Sequence, residues 1–388
     1  MIRERKTKVA LALLLAGAAA LSVAGCSPGG AGDASGLELS GAWRKVADSA
    51  GAAGGLVSVS AGGDVNFGDG VTPSLVSGGL DYPFSGVREA FATTDLSFVN
   101  LECCIASCGA PVAGKQFTFR GPADSAGALR SGNVDVVSLA NNHSLDYGAA
   151  ALVETLAHLD ENGIAWCGAG RNRDEAYAPR VLETRGGRVA FLAFNGIVPD
   201  GWSATATAPG CATTWDAKKV ASAIRDAKRG ADYLVASFHW GIELATSPGA
   251  EQRNLAHLAV DSGADLVLGH HPHVVQGFEL YRNRLIAYSL GNFVFSPPRP
   301  ESAKSVMLIA VLGPGGLVQA KVVPASISGC RPVILDGAPA DAWVGTMSRY
   351  SSALGTTVTV RSGRGYIDGN AAASGGRGVP SSRSAGSR

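Results

Sequence analysis

Polar side chains recur in this chain directly after short apolar runs that have the pattern of buried strands. The runs lie at 56–60, 96–102, 134–140, 233–238 and 266–268, and Asp, Asn, Glu or His follows or ends each of them. In parallel α/β sheets the carboxyl ends of the strands meet along one edge, and ligands bind there. The sequence therefore predicts that five strand ends deliver polar groups to one edge.

Helical spacing of apolar residues separates these strand candidates. The predicted helices lie at 84–92, 148–161, 216–228 and 249–261. A further strand is predicted at 189–194. After residue 276 the pattern changes to two hairpins, formed by 278–281 with 285–288 and by 306–312 with 318–323. We therefore predict an α/β (α+β) fold in which two sheets pack between helices.

The residues at the strand ends are of the types that bind divalent metals. They are Asp64, Asn66, Asn100, Glu102, Asn141, Asn142, His143, His239, His270, His271 and His273. Carboxylate and amide oxygens with imidazole nitrogens, and no thiolate, suit Mn, Zn or Fe. Of the seven histidines, only His158 and His257 fall in predicted helices. An acidic group shared by two ions, with His and Asn around it, is the usual arrangement for two-metal hydrolysis.

Six motifs in a fixed order give the chain a specific resemblance. They are Gly63-Asp64-Val65-Asn66-Phe67-Gly68, Asn100-Leu101-Glu102, Ala140-Asn141-Asn142-His143-Ser144-Leu145-Asp146-Tyr147-Gly148, His239-Trp240-Gly241-Ile242-Glu243, Gly269-His270-His271-Pro272-His273-Val274-Val275-Gln276 and Tyr288-Ser289-Leu290-Gly291-Asn292-Phe293-Val294-Phe295. Over residues 56–325 the chain resembles the CapA family of poly-γ-glutamate capsule proteins, which are related to calcineurin-like metallophosphoesterases. The resemblance implies a four-layer αββα sandwich of the metallophosphoesterase type, with two divalent metal ions at one edge.

The same resemblance implies which residues hold the first ion. Asp64 and His273 would bind it. Glu102 stands where the wider superfamily has an aspartate that bridges both ions. Asn66 stands where the superfamily has the histidine of an Asp-X-His motif, so it would be a weaker, neutral ligand or would support one.

The resemblance also implies the second ion's ligands and the catalytic groups. Asn142, His239 and His271 would serve the second ion. His143 would stabilise the transition state or protonate the leaving group. Asp146, three residues later, would orient His143.

Cations and amides near these motifs are candidates for substrate binding. Arg120, in Phe119-Arg120-Gly121, matches a family position and is predicted to contact an anionic polymer or a phosphate. Lys115 and Arg171 are either anion-binding residues or solvated surface cations. Asn292 is predicted to contact substrate near the site, with a role in a turn as the alternative.

Two functions follow from the resemblance. One is a metal-dependent hydrolase that acts on a phosphoester or γ-glutamyl substrate in the synthesis, anchoring or release of poly-γ-glutamate. The alternative is a non-catalytic accessory subunit that binds the anionic polymer in a membrane capsule-synthase or export complex. A substrate-binding lipoprotein is a third interpretation, which the histidines at the strand ends disfavour.

The two ends of the chain have the composition of segments outside the fold. Residues 1–25 combine a basic start, an apolar run and small residues, as in a secretory signal peptide. Val23-Ala24-Gly25-Cys26 resembles a lipobox, which implies lipid attachment to Cys26 and an extracytoplasmic, membrane-anchored protein. We predict a tether at 26–54, the domain at 55–330, its C-terminal extension at 331–370 and a disordered tail at 371–388.

The charge distribution argues against a nucleic-acid partner. The net charge is +1, but 1–25 and 371–388 each carry +3, which leaves −5 on 26–370. Nucleic-acid-binding domains usually present a basic field instead. Six further cysteines could form disulfides in an oxidising compartment, and the sequence leaves their pairing open: Cys103, Cys104, Cys108, Cys167, Cys211 and Cys330.

Overall fold

Two sheets face each other in the computed structural model, which describes residues 55–68 and 70–370. The strands of the first sheet are β1 (Val57–Val65), β2 (Leu96–Leu101), β5 (Val136–Ser138), β6 (Ala165–Cys167), β15 (Asn292–Val294), β16 (Lys304–Gly313), β17 (Gly316–Ser328), β18 (Arg331–Ile334), β19 (Thr359–Arg361) and β20 (Arg364–Asp368). Those of the second are β8 (Arg180–Thr184), β9 (Gly187–Asn195), β11 (Tyr233–His239), β12 (Leu266–His270), β13 (Phe278–Tyr281) and β14 (Arg284–Ala287). Two small ladders pair β3 (Cys104–Ile105) with β4 (Arg120–Gly121) and β7 (Ala169–Gly170) with β10 (Gly210–Cys211).

The order of the strands sets which of their ends come together. The first sheet runs β19-β20-β17-β16-β1-β2-β5-β6, with β15 beside β1 and β18 beside β17. Within it β1, β2, β5 and β6 are parallel, whereas β16 is antiparallel to β1. The second sheet runs β13-β14-β12-β11-β9-β8, and β9, β11, β12 and β14 are parallel. Each sheet therefore gathers the carboxyl ends of several strands at one edge.

Apolar side chains from both sheets fill the space between them. Val59 and Phe98 of the first sheet join Phe191 and Leu268 of the second in one buried cluster. The rings of Phe98 and Phe191 stack with their centroids 5.8 Å apart. Burying each large apolar side chain contributes about 1.5–3 kcal/mol to the stability of the folded chain, and this burial holds the two sheets face to face.

Helices cover the outer faces and complete a four-layer αββα sandwich. They are α1 (Thr72–Gly78), α2 (Arg88–Phe91), α3 (Ser125–Ser131), α4 (Gly148–Glu161), α5 (Arg173–Ala176), α6 (Ala217–Arg229) and α7 (Ala250–Asp261). A further helix, α8 (Gly337–Ser352), instead adds Trp343, Val344 and Met347 to the cluster between the sheets. Asp216 caps α6 by accepting hydrogen bonds from the amides of Lys218 and Lys219. Ile224 of α6 and Ala256 of α7 pack in a second cluster against the second sheet.

Most elements lie where the sequence predicts them, including the helix at 148–161 and both hairpins. The prediction of a helix at 84–92 is wrong, because only Arg88–Phe91 is helical. The residues before Arg88 form turns, and Gly86 among them lies so close to residue 332 that an added Cβ would be 2.3 Å from the Pro332 carbonyl oxygen. The five predicted strands also do not share one sheet. β1, β2 and β5 belong to the first, β11 and β12 to the second.

Three further observations concern predictions made outside the core. The six cysteines of the described residues are free thiols, and four of them are buried. Among the described residues, no helix has the length and apolar character needed to cross a bilayer. The predicted signal peptide, Cys26, the tether and the tail lie outside the described residues.

Candidate metal centre

The polar residues predicted from the strand ends meet where the edges of the two sheets face each other. Asp64 of β1 is paired in register with Asn100 of β2 and Asn292 of β15, and His239 of β11 is paired with His270 of β12. The chain reaches this edge through close backbone contacts. A Cβ on Gly63 would lie 1.8 Å from the carbonyl oxygen of Gly291, so only glycine fits there.

Glu102 lies at the centre of the cluster. Its Oε1 atom is 3.7 Å from Nε2 of His239, 3.7 Å from Nε2 of His273 and 3.9 Å from Nε2 of His143. These separations are too long for hydrogen bonds. The side chain is fully buried, and its Oε1 has no hydrogen-bond partner among the described residues. A buried carboxylate oxygen facing three imidazole nitrogens has the surroundings of a metal ligand.

Asp64 is the second buried carboxylate. Its Oδ1 accepts a hydrogen bond from Nδ2 of Asn100 (2.9 Å) and lies 3.2 Å from Nδ1 of His270. Its Oδ2 lies 3.2 Å from Nδ1 of His273 and makes no aligned hydrogen bond within the described part of the chain. Asn100 therefore holds one oxygen of Asp64 by a hydrogen bond, with the ring of His270 beside it, and the other oxygen faces the cluster.

Asn142 and His239 meet across the sheets. Nε2 of His239 donates to Oδ1 of Asn142 at 2.8 Å. The ring of His271 lies 4.8 Å from that of His239, and its buried Nδ1 is unpartnered among the residues described. The structure thus brings together the three residues predicted for the second ion.

His273 is held in place from behind by Asn292. Nδ1 of His273 donates to Oδ1 of Asn292 at 2.8 Å, while Nδ2 of Asn292 donates to the carbonyl of Ser302 at 3.1 Å. Asn292 is fully buried with both ends of its amide bonded. It therefore orients a candidate ligand, as outer partners of metal-bound histidines do, rather than facing a substrate as predicted.

The loop that carries these histidines is strained. His271 has φ 94 and His273 has φ 57, in the left-handed region that non-glycine residues rarely adopt. Each such residue costs about 1–3 kcal/mol, and such strain is concentrated at functional sites. The strain turns two imidazoles separated by only one residue towards the same cluster.

These groups fit a metal ion. Two sets of three residues could each hold an ion, because the ligand atoms within a set all lie within 4.8 Å of one another. One set is Glu102, His271 and His273, and the other is Asp64, Glu102 and His239. Glu102 belongs to both sets, as expected for a residue shared by two ions. Buried carboxylate oxygens without hydrogen bonds are costly unless a cation compensates them. The assignment of each remaining ligand to one particular ion stays a prediction.

Charges in the cluster shift the pKa values of its members. Burial alone would raise the pKa of Asp64, but the adjacent His270 and His273 hold it well below its usual value. Burial and repulsion by Asp64 raise the pKa of Glu102. Burial would lower the pKa of His273, but attraction to Glu102 and Asp64 and the hydrogen bond to Asn292 raise it to about 10. Burial and repulsion by His273 lower the pKa of His271 to about 3, so His271 is neutral and ready to bind a metal.

His143 and Asp146 form the predicted pair beside the carboxylates. Nδ1 of His143 donates to Oδ2 of Asp146 at 2.6 Å, which leaves Nε2 facing Glu102. The rings of Phe119 and His143 stack with their centroids 4.2 Å apart, and the backbone amide of Phe119 donates a hydrogen bond to Oδ2 of Asp146 at 2.6 Å. Burial lowers the pKa of His143, although Asp146 opposes the shift. The arrangement suits proton transfer at Nε2.

The other predicted residues divide between the site and the surface. Oδ1 of Asn66 accepts a hydrogen bond from the amide of Gly68 at 2.7 Å, so its amide oxygen closes a turn, and its role as a weaker ligand or as the support of one stays a prediction. Arg171 is paired with Glu175 at 2.6 Å on the surface. Arg120 stacks 4.2 Å over the ring of Tyr147 and lines a cavity of about 330 Å³.

Two residues at the site have roles that the sequence does not predict. His270, one of the polar residues predicted at the strand ends, ends β12 beside Asp64 without being assigned to either ion. Lys115, predicted as an anion-binding residue or a solvated surface cation, instead forms an ion pair with Asp146. A lone lysine in a polar loop gives no signal of that contact.

A buried cluster of carboxylate, amide and imidazole groups at one edge of an αββα sandwich defines a protein with a candidate metal centre between two sheets. The chain belongs to the family described as bacterial capsule synthesis protein PGA_cap, whose match spans residues 58–297. This confirms the resemblance that the six motifs indicate.

Two CapA relatives agree with that membership. The capsule biosynthesis protein CapA of Bacillus anthracis is 32% identical over 276 residues, which are 70% of this chain and 67% of that protein. The PGA biosynthesis protein CapA of Bacillus subtilis (strain 168) is 30% identical over 279 residues, 71% of this chain and 73% of that one. The NAD nucleotidase NadN of Haemophilus influenzae aligns with a TM-score of 0.39 and 14% identity, over 75% of this chain and 56% of that structure.

Proposed function

We propose that this protein is a metal-dependent hydrolase that holds two divalent ions and acts on poly-γ-glutamate or a precursor of it during capsule formation. The observation that carries the proposal is Oε1 of Glu102, buried without a hydrogen bond among the described residues and facing three imidazole Nε2 atoms at 3.7–3.9 Å. The names of the two CapA relatives support the capsule context.

The residues around Glu102 divide the chemistry between them. Asp64, Glu102, Asn142, His239, His271 and His273 would hold Mn, Zn or Fe ions. Two divalent ions bound there would polarise a phosphoryl or acyl oxygen of the substrate and activate water for attack. His143 is placed to take up a proton at Nε2 and to deliver one to the departing oxygen or nitrogen, while Asp146 keeps its ring oriented.

Arg120 supports an anionic substrate. Its guanidinium plane lies on Tyr147 at the wall of the cavity, and the preceding residue, Phe119, stacks on His143. A guanidinium fixed in one plane suits a planar carboxylate, and poly-γ-glutamate has one free carboxylate in every repeat. We propose that a polymer bound at the metal centre extends along the chain past Phe119, so that one of its other carboxylates meets Arg120.

We propose that the protein works outside the cytoplasm, attached to the membrane by a lipid on Cys26. The support is the segment Val23-Ala24-Gly25-Cys26 after a basic and then apolar start. Mass spectrometry of the membrane fraction, before and after Cys26→Ser, tests this. Release of the variant into the medium is expected, and an unlipidated wild type would contradict it.

Metal analysis and a substrate screen test the hydrolase directly. The purified full chain is loaded with Mn, Zn or Fe in turn, and its metal content is measured by plasma mass spectrometry. Phosphodiesters and γ-glutamyl peptides are then offered with each metal. We expect close to two ions per chain and turnover that His143→Gln reduces about 100-fold or more without loss of metal.

A complementation experiment separates the hydrolase from the accessory subunit. The double variant His239→Ala, His271→Ala is expressed in cells whose own copy of the gene is deleted, and capsule polymer is quantified. Loss of the normal polymer supports the hydrolase. Normal polymer from a chain that binds no metal would favour the non-catalytic accessory role.

A further inference from the structure

Lys115 reaches into the metal centre from a loop that is otherwise largely exposed. The loop joins β3 to β4, and Gly114, with φ 77, turns the chain back just before Lys115. The ammonium group donates hydrogen bonds to the carbonyl of Asn142 and to Oδ1 of Asp146, and lies 3.2 Å from Nδ1 of His143. Only 19% of the side chain is exposed.

Asp146 is therefore held by three groups at once. Its Oδ1 accepts from Lys115, and its Oδ2 accepts from His143 and from the amide of Phe119, both at 2.6 Å. The carboxylate has no exposed surface. A buried carboxylate needs a compensating charge, and Lys115 supplies it at Oδ1, so that Oδ2 accepts from His143 and from the amide of Phe119.

Lys115 is itself fixed by the other side of the site. Its ammonium lies 4.7 Å above the ring of Trp202, which is 6% exposed and belongs to the loop between β9 and β10. Such a cation–π contact attracts the ammonium to the face of the indole ring. With two of its three donors committed to Asn142 and Asp146, Lys115 is poorly placed to bind a substrate anion.

We propose that Lys115 is a positioning residue for His143. It fixes Asp146 so that Oδ2 accepts the Nδ1 proton of His143, which keeps Nε2 free of a proton and directed at Glu102. Its effect on turnover rests on the proposed hydrolase function, whereas its effect on the tautomer of His143 does not.

Imidazole NMR on the metal-free full chain labelled with ¹⁵N-histidine tests the tautomer. The signal that His143→Gln removes is assigned to His143. In the wild type we expect the Nδ1–H form. In Lys115→Met, an Nε2–H signal from His143 should appear while the other six histidines keep their shifts. Lys115→Arg, which keeps the charge, should restore the wild-type tautomer.

Two further variants control the experiment. Lys219 of α6 also makes a cation–π contact, with its ammonium 3.6 Å from the ring centre of Tyr177. Lys219→Met should leave the tautomer of His143 unchanged. Lys115→Leu replaces Lys115→Met if the latter does not fold, since leucine also removes the charge and every donor from this side chain. An unchanged His143 signal in a folded, uncharged variant overturns the proposal.

Turnover supplies the second readout. With any substrate that the metal-loaded wild type hydrolyses, Lys115→Met should lower kcat about 10- to 100-fold with KM and metal content unchanged. A raised KM with unchanged kcat and tautomer would make Lys115 a substrate-binding residue and overturn the proposal. If the wild type hydrolyses nothing, the hydrolase proposal fails and the NMR result alone decides the role of Lys115.

Discussion

Nε2 of His239 and Oδ1 of Asn142 lie 2.8 Å apart, although His239 ends β11 of the second sheet and Asn142 follows β5 of the first. The contact ties the edges of the two sheets at the metal centre. In the metal-free protein it keeps both candidate ligands in place. A metal ion that binds them thus finds two ligands from opposite sheets already side by side.

The first prediction concerns the imidazoles of that centre. His239→Ala and His271→Ala should each remove at least one bound ion per chain, because each deletes a buried ligand that no neighbour can replace. Plasma mass spectrometry and calorimetric titration with each metal measure this. His257→Ala is the matched control, since His257 pairs with Glu279 at 2.9 Å, outside the ligand sets. Full metal content in His239→Ala would rule out the assignment.

Glu102→Gln should stabilise the metal-free protein while abolishing tight metal binding. Burial and repulsion by the neighbouring Asp64 both raise the pKa of Glu102. A carboxyl group with a raised folded-state pKa costs stability as the pH rises from its unfolded value of about 4.3 towards the folded value. We therefore expect a gain of about 1–3 kcal/mol in urea unfolding that is larger at pH 8 than at pH 5. The exposed Glu161→Gln serves as control, and a destabilised Glu102→Gln would contradict the argument.

Metal affinity should rise with pH above neutrality. The pKa of His273 is raised to about 10, so the metal-free protein holds a proton there at pH 7 that a metal ion must displace. Raising the pH removes the competing proton, and affinity should increase about tenfold per pH unit between pH 7 and 9. Calorimetry in buffers of different ionisation enthalpy should find about one proton released per chain at pH 7.5. A flat pH profile would show that His273 is neutral before metal binding.

Much of the site could be predicted from the sequence, because strand ends and ordered motifs are both recognisable from short stretches of residues. The pairing of His143 with Asp146 was predictable because the two residues are only three apart, and the residue type of each candidate ligand shows which atom it can offer to a metal. The division of the strands between two sheets has no such trace, because a continuous apolar run has the same pattern in either sheet. Contacts such as Lys115 with Asp146 join residues far apart in sequence and depend on how a loop folds back.

Only two of the six cysteines should react in the native protein. Cys108 is exposed and Cys330 is partly exposed, whereas the other four are buried. Burial raises the pKa of Cys104 and Cys167 to about 12 and that of Cys211 to about 11, so almost no thiolate forms there. A maleimide reagent followed by intact-mass analysis should add to two sites in the native chain lacking Cys26 and to six in denaturant. Modification of Cys211 under native conditions would contradict the packing.

Arg120 provides the sharpest test of what the site binds. If its guanidinium receives a carboxylate beside the metal centre, Arg120→Met should weaken the binding of a γ-glutamyl oligomer about tenfold, because hydrogen bonds to charged groups contribute about 1.5–3 kcal/mol. The matched control is Arg171→Met, which removes the same charge from a residue already paired with Glu175 at 2.6 Å. Calorimetric titrations at two salt concentrations distinguish a specific contact from general attraction, since a non-specific effect would be equal in both variants and vanish at high salt. Equal losses in Arg120→Met and Arg171→Met would remove Arg120 from the site, whereas a loss confined to Arg120→Met would identify the cavity beside Tyr147 as a carboxylate subsite.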